Sequence, residues 1–149
     1  MKKLFIYYSQ SGNGDYVASR MSELGYDIRK IEAKRSLPKS FFWSMMIGGM
    51  MAGFNHKSKL KEFDNDVSSY DEIVIGSPIW NGKFACPVNT LLSKLDIKNK
   101  KVKFILYSGS GNAPKCIAKI KKNYSCDVYE VKEPKKNKEE LEKILVSFN

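Results

Sequence analysis

The stretch Ser69-Tyr70-Asp71-Glu72-Ile73-Val74-Ile75-Gly76-Ser77-Pro78-Ile79-Trp80-Asn81-Gly82 decides how the rest of the chain is read. Ile73-Val74-Ile75 is a short, continuous β-branched run, the pattern of a strand covered on both faces. Breakers follow at once: Gly76, Pro78 and the pair Asn81-Gly82. A buried strand therefore empties into a loop that carries Trp80. There the indole offers a large flat face for a ligand, the alternative being a tryptophan of the core.

Working outward, Lys3 to Tyr8 repeats the pattern, an apolar run meeting the turn-forming cluster Ser9-Gln10-Ser11-Gly12-Asn13-Gly14. Beyond it Tyr16, Val17, Met21 and Leu24 recur at helical spacing, and Gly25 stands where a helix stops. Ile28 to Ile31, Val102 to Tyr107 and Val128 to Val131 are further strands. Helical patterns lie around Val88 to Leu95, Lys115 to Lys122 and Lys138 to Val146. Apolar strands alternating with helices predict an α/β fold, a parallel sheet of five strands covered on both faces.

With 149 residues, the chain has the length of one domain whose core needs no disulfide or metal to be stable. At 42% hydrophobic and 28% charged residues it has a globular composition, expected to be soluble. Its N-terminal apolar run is too short for a signal peptide, so a cytoplasmic location is expected. Cys86, Cys116 and Cys126 match no zinc or redox spacing, and His56 is the sole histidine, so no metal site is expected. The net charge of +10 is spread over many segments without a nucleic-acid motif. It reads as a solvated basic surface suited to acidic protein partners, with no nucleic acid among them.

One segment breaks the alternation. An insertion around residues 38–60 holds the apolar run Ser40 to Phe54, shorter than the roughly 20 residues that span a bilayer. Two readings stand: a helix packed on the domain through Trp43, Ile47, Met50 and Phe54, or a Met-rich face kept accessible for the ligand or a partner.

In a parallel sheet, ligands bind beyond the carboxyl ends of the strands. The loop Ser9 to Gly14 offers hydroxyls, amides and glycine N–H groups ahead of a helix whose positive end favours phosphate. A triphosphate loop would need Gly-Lys-Ser/Thr where this chain has Gly12-Asn13-Gly14-Asp15. A dinucleotide loop is closer, because Gly12 and Gly14 supply two of its glycines and Glu32 stands where a ribose-binding acid belongs. Val17 replaces the third glycine, however, and the chain has no room for a second nucleotide-binding half.

The run Gly76-Ser77-Pro78-Ile79-Trp80-Asn81-Gly82, followed by Pro87 and Leu91-Leu92, resembles the flavodoxin-like family. In that family a strand ends in Gly-x-Pro and an aromatic that lines the isoalloxazine ring. Ser9, Ser11 and Gly12 are similar to its Thr/Ser-x-Thr-Gly-x-Thr phosphate loop, with Asp15 at a commonly acidic position. Ser108-Gly109-Ser110-Gly111-Asn112 is similar to the segment on the other side of the ring.

The resemblance implies a flavodoxin-like sandwich of strand order 2-1-3-4-5 and FMN as cofactor. Ser9, Gln10, Ser11, Gly12, Asn13 and Gly14 would hold the phosphate. Ser77, Pro78, Ile79, Trp80, Asn81 and Gly82, with Ser108, Gly109, Ser110 and Gly111, would hold the ring. Asn81-Gly82 tolerates positive φ, so its peptide could rotate on reduction, although a plain turn explains the pair equally well.

Departures from the family pattern qualify the function. Gly14 replaces the last hydroxyl residue of the phosphate loop, and no aromatic lies between Ser108 and Pro114. One ring face is then open, or covered by Phe84 or the Phe41 to Phe54 segment. The leading reading is electron transfer between a reductase and an acceptor protein. An FMN-dependent NAD(P)H-quinone or other small-molecule reductase is the alternative, and a non-catalytic flavin-binding or regulatory domain a second one.

Overall fold

Alternation of side chains along each strand sorts the apolar residues onto two sides of one sheet. Strand β1 (Lys3–Tyr7) sends Leu4 and Ile6 to one side and Phe5 and Tyr7 to the other. Ile75, Phe104 and Leu106 join the first side, and Val74, Ile105 and Val131 the second. Each side needs its own cover, which dictates three layers. The structure, a computed structural model, describes residues 1–35, 40 and 58–149.

Helix α1 (Asn13–Glu23) follows β1 and leads to β2 (Asp27–Lys30). Then come β3 (Glu72–Trp80), β4 (Lys83–Phe84), α2 (Cys86–Lys94), β5 (Lys101–Ser108), α3 (Pro114–Asn123), β6 (Asp127–Lys132), α4 (Lys138–Leu145) and a 3-10 turn at Val146–Phe148. Val17 and Met21 of α1, Leu141 and Leu145 of α4 and Phe148 cover one side of the sheet, and Val88 and Leu91 of α2 with Cys116 and Ile120 of α3 the other. The sheet order is β2-β1-β3-β5-β6, all parallel, with β4 antiparallel on β3. Setting β4 aside, this is the expected order.

The sequence puts the end of the third strand near Ile75, but β3 continues through Gly76-Ser77-Pro78 to Trp80. Pairing with β1 stops at Gly76, while pairing with β5 runs on to Pro78 opposite Tyr107. Pro78 thus lies where the strand has a ladder neighbour on one side, a position in which proline is tolerated. The expected loop is a hairpin: Asn81 (φ 48°) and Gly82 (φ 73°) reverse the chain, and Trp80 pairs with Lys83. Two positive φ values make this the mirror-image turn that Asn-Gly favours. No described residue lies within 4 Å of a Cβ built on Gly82, so Gly82→Ala carries the conformational cost alone. A loss of about 1 kcal/mol in chemical denaturation is expected, and an unchanged midpoint would contradict the turn.

The insertion begins and ends at one place. Ala33 bridges Leu60, Lys34 N–H donates to the Lys59 carbonyl at 2.8 Å, and Lys61 N–H donates to Glu32 at 2.8 Å. The apolar helix expected from Trp43, Ile47, Met50 and Phe54 lies outside the described residues. Among the described residues no helix is long and apolar enough to cross a membrane, and no group of His, Cys, Asp and Glu could hold a metal ion.

Candidate functional site

The parallel sheet brings the ends of β1, β3, β5 and β6 together, and a cleft of about 490 Å³ opens there. Ser11 and Asn13 form one wall, Pro78 and Ile79 a second, and Tyr107, Ser108 and Gly109 a third. Glu133, Lys135 and Lys136, from the loop after β6, close the fourth.

Residues 9–14 form the start of α1. Gly12 is the N-cap, and its carbonyl accepts the Tyr16 N–H at 3.0 Å. Ser9 Oγ accepts the Asp15 N–H at 3.3 Å, and Asn13 Nδ2 donates to Ser11 Oγ at 3.2 Å. The backbone N–H groups of Ser11, Gly12, Asn13 and Gly14 donate to no described residue. A helix start with free donors is an anion-binding arrangement.

Asp15 faces away from this donor set into a polar network. Its Oδ1 accepts from the Tyr7 hydroxyl at 2.8 Å and pairs with Lys30 Nζ at 2.8 Å. Burial by itself raises the Asp15 carboxyl, but the hydrogen bonds from Lys30 and Tyr7 and the Lys30 charge hold it below the usual carboxylate range. The carboxylate beside the start of α1 is thus paired with a cation. Burial, then the bond to Asp15, raises the Tyr7 hydroxyl, while Tyr8 is pushed up to about 12, mainly by burial. Both stay protonated donors at neutral pH.

Gly14 is a site of close approach. A Cβ built there would lie 2.9 Å from Ser9 Cβ and from Tyr107 Cζ, and nearer still to the Tyr107 hydroxyl. That hydroxyl donates to the backbone carbonyl of Tyr8, pinning the end of β1 to β5. The space that a side chain at position 14 would take is therefore filled from β5.

The loop after β5 is tied to itself. Gly111 N–H donates to Ser108 Oγ at 2.9 Å, and Ser110 Oγ donates to the Asn112 carbonyl at 3.0 Å. Glu133 N–H donates to the Ser108 carbonyl at 3.0 Å, which draws the loop after β6 against it. Glu133 has φ 38°, and its carbonyl accepts the N–H groups of Lys136 and Asn137.

Of the residues expected from sequence, Ser11, Asn13, Pro78, Ile79, Ser108 and Gly109 line the cleft. Ser9 and Gln10 line a second hollow, with Lys30 and Lys61. Ser77 is fully buried and donates to the Pro78 carbonyl at 2.8 Å. The expected open face of Trp80 is not found. Trp80 is 4% exposed, belongs to the core cluster with Ile79 and Phe84, and packs edge-on against Tyr8, 5.9 Å between ring centroids. Asn81 and Gly82 form the hairpin turn and are not among the described residues that line this cleft.

Sequence reasoning missed Tyr107, Glu133, Lys135 and Lys136. The signal was topological: a loop after the last parallel strand reaches the same edge as the loops after the others.

The fold is that of a doubly wound α/β protein with a cleft at the sheet's carboxyl edge. The family model described as Flavodoxin matches residues 2–146, and the chain belongs to that family. No curated protein matches it. Among solved structures it is similar to a candidate flavoprotein from Bacteroides eggerthii, at 20% identity and TM-score 0.77 over 98% of this chain and 96% of that one. A flavoprotein from Lactobacillus acidophilus, solved in complex with FMN, matches at 24% identity and TM-score 0.56 over 93% and 97% of the two chains. Rubredoxin:oxygen oxidoreductase from Desulfovibrio gigas matches at 16% identity and TM-score 0.51, over 98% of this chain and 35% of that one.

Proposed function

We propose that the cleft binds FMN and that the protein carries electrons between a redox partner protein and an acceptor. The observation that carries this reading is the set of N–H groups at Ser11 to Gly14 that donate to no described residue, beside a cleft of about 490 Å³ in a flavodoxin-family chain. When bound, FMN supplies transfer of one or two electrons. The residues present fit it. The start of α1 receives the phosphate, and Lys30 keeps the Asp15 charge from opposing it. Pro78 and Ile79 provide an apolar wall for the ring, and the backbone N–H groups of Gly109 and Ser110, partnerless among the described residues, meet its polar edge. The basic surface favours an acidic partner, a matter mainly of association rate and partner choice.

One feature favours a second reading, a reductase acting on NAD(P)H and a quinone: residues 108–114 carry no aromatic to cover the ring. Titrating the protein with FMN tests the cofactor, with saturable one-to-one fluorescence quenching expected. Unquenched flavin at micromolar concentration would sink the reading. Steady oxidation of NAD(P)H by the loaded protein with a quinone would favour the reductase over the carrier.

A further inference from the structure

We propose that Lys135 is a charged ligand of the flavin phosphate, so that this chain recognises phosphate with a cation from the loop after β6 as well as with N–H groups. The proposal rests on FMN binding in the cleft. Sequence alone suggests a weakened cradle, because Gly14 removes a hydroxyl, and the structure shows that no side chain fits there. The replacement comes from elsewhere. Lys135 donates its backbone N–H to Asn13 Oδ1 at 3.1 Å, which fixes the loop after β6 against the phosphate loop. Its side chain then lies over Gly12, with Nζ 3.5 Å and Cδ 3.6 Å from a Cβ built on that glycine.

Charge pairing in the loop leaves this cation available. Glu133 accepts the neighbouring Lys136 Nζ at 2.7 Å, whereas no described carboxylate pairs with Lys135. An ammonium held over Gly12, beside N–H groups that donate to no described residue, complements a phosphate dianion and adds nothing for an uncharged sugar alcohol. Lys135 therefore discriminates FMN from riboflavin.

The test compares FMN and riboflavin binding by fluorescence quenching in the unaltered protein, Lys135→Gln, Lys135→Arg and, as a control on α3, Lys122→Gln. Thermal melts establish that each variant folds. Loss of one charge-assisted contact predicts FMN affinity reduced about tenfold or more in Lys135→Gln. Riboflavin affinity should stay unchanged, Lys135→Arg should retain most FMN affinity, and Lys122→Gln should bind both flavins like the unaltered protein. Equal weakening of both flavins, or none, in a folded Lys135→Gln would overturn the proposal while leaving the FMN reading intact. If the unaltered protein binds neither flavin, the FMN reading itself fails and this assignment goes with it.

Discussion

Gly14→Thr, which restores the hydroxyl residue of the family's phosphate loop, is expected to damage the site. The new Cβ would lie 2.9 Å from Ser9 Cβ and Tyr107 Cζ, and closer to the Tyr107 hydroxyl. Tyr107 is 3% exposed and bonded to the Tyr8 carbonyl, so it has nowhere to retreat. Overpacking of this kind costs about 1–3 kcal/mol of stability. Because the phosphate loop absorbs the displacement, FMN affinity should fall about tenfold or more, equivalent to about 1.4 kcal/mol. Tyr107→Phe removes the nearest clashing atom, so the double variant should regain part of the lost stability. Denaturant melts and flavin titrations of the singles and the double measure both effects. A Gly14→Thr protein that melts and binds like the unaltered one would show the contact to be soft.

The second large effect lies at the opposite end of β3. Glu72 is 2% exposed, pairs with Lys101 Nζ at 2.7 Å and Lys103 Nζ at 3.4 Å, and accepts the Tyr26 hydroxyl. Burial acts to raise its carboxyl. The hydrogen bonds from Lys101 and Tyr26 and the two lysine charges outweigh burial and hold it below the ordinary value of 4.5. Glu72→Gln removes the carboxylate charge opposite Lys103, itself 5% exposed, whose ammonium keeps the Ser147 carbonyl at 3.3 Å but no described counter-charge, and is expected to cost about 3 kcal/mol. Lys103→Met should cost less, since Lys101 and Tyr26 still satisfy the carboxylate. A carboxyl depressed in the folded state stabilises above its unfolded value, and that stability drains away as pH falls through the folded value. The unaltered protein should therefore lose stability below about pH 4.5 more steeply than Glu72→Gln does. Parallel acid profiles would mean that Glu72 is not the group responsible.

Much of this fold was legible because its strands are buried on both faces. Continuous runs such as Ile73-Val74-Ile75 and Phe104 to Tyr107 admit few other readings. The turn from Ser9 to Gly14 that opens α1 was equally plain, since glycines, hydroxyls and a following helical pattern occupy consecutive positions. The hairpin was not. Asn81-Gly82 signals a turn, but only the structure shows that two residues pair beyond it and that Trp80 beside it is buried. Lys135 was hidden for another reason: its environment is made by Asn13 and Gly12, far away in sequence, and a local reading of Lys132 to Lys138 sees only a solvated basic loop. Tyr107 was visible as a strand residue, whereas its hold on the Tyr8 carbonyl belongs to the sheet.

The bond between Lys135 N–H and Asn13 Oδ1 spans 122 positions of sequence. Ser11 and Asn13 line one wall of the cleft, yet its fourth wall is supplied by residues 133–136, beyond β6. The cleft therefore has all four walls only when β6 has joined the sheet beside β5. Fraying of that edge strand would open the cleft before it disturbed the centre of the sheet.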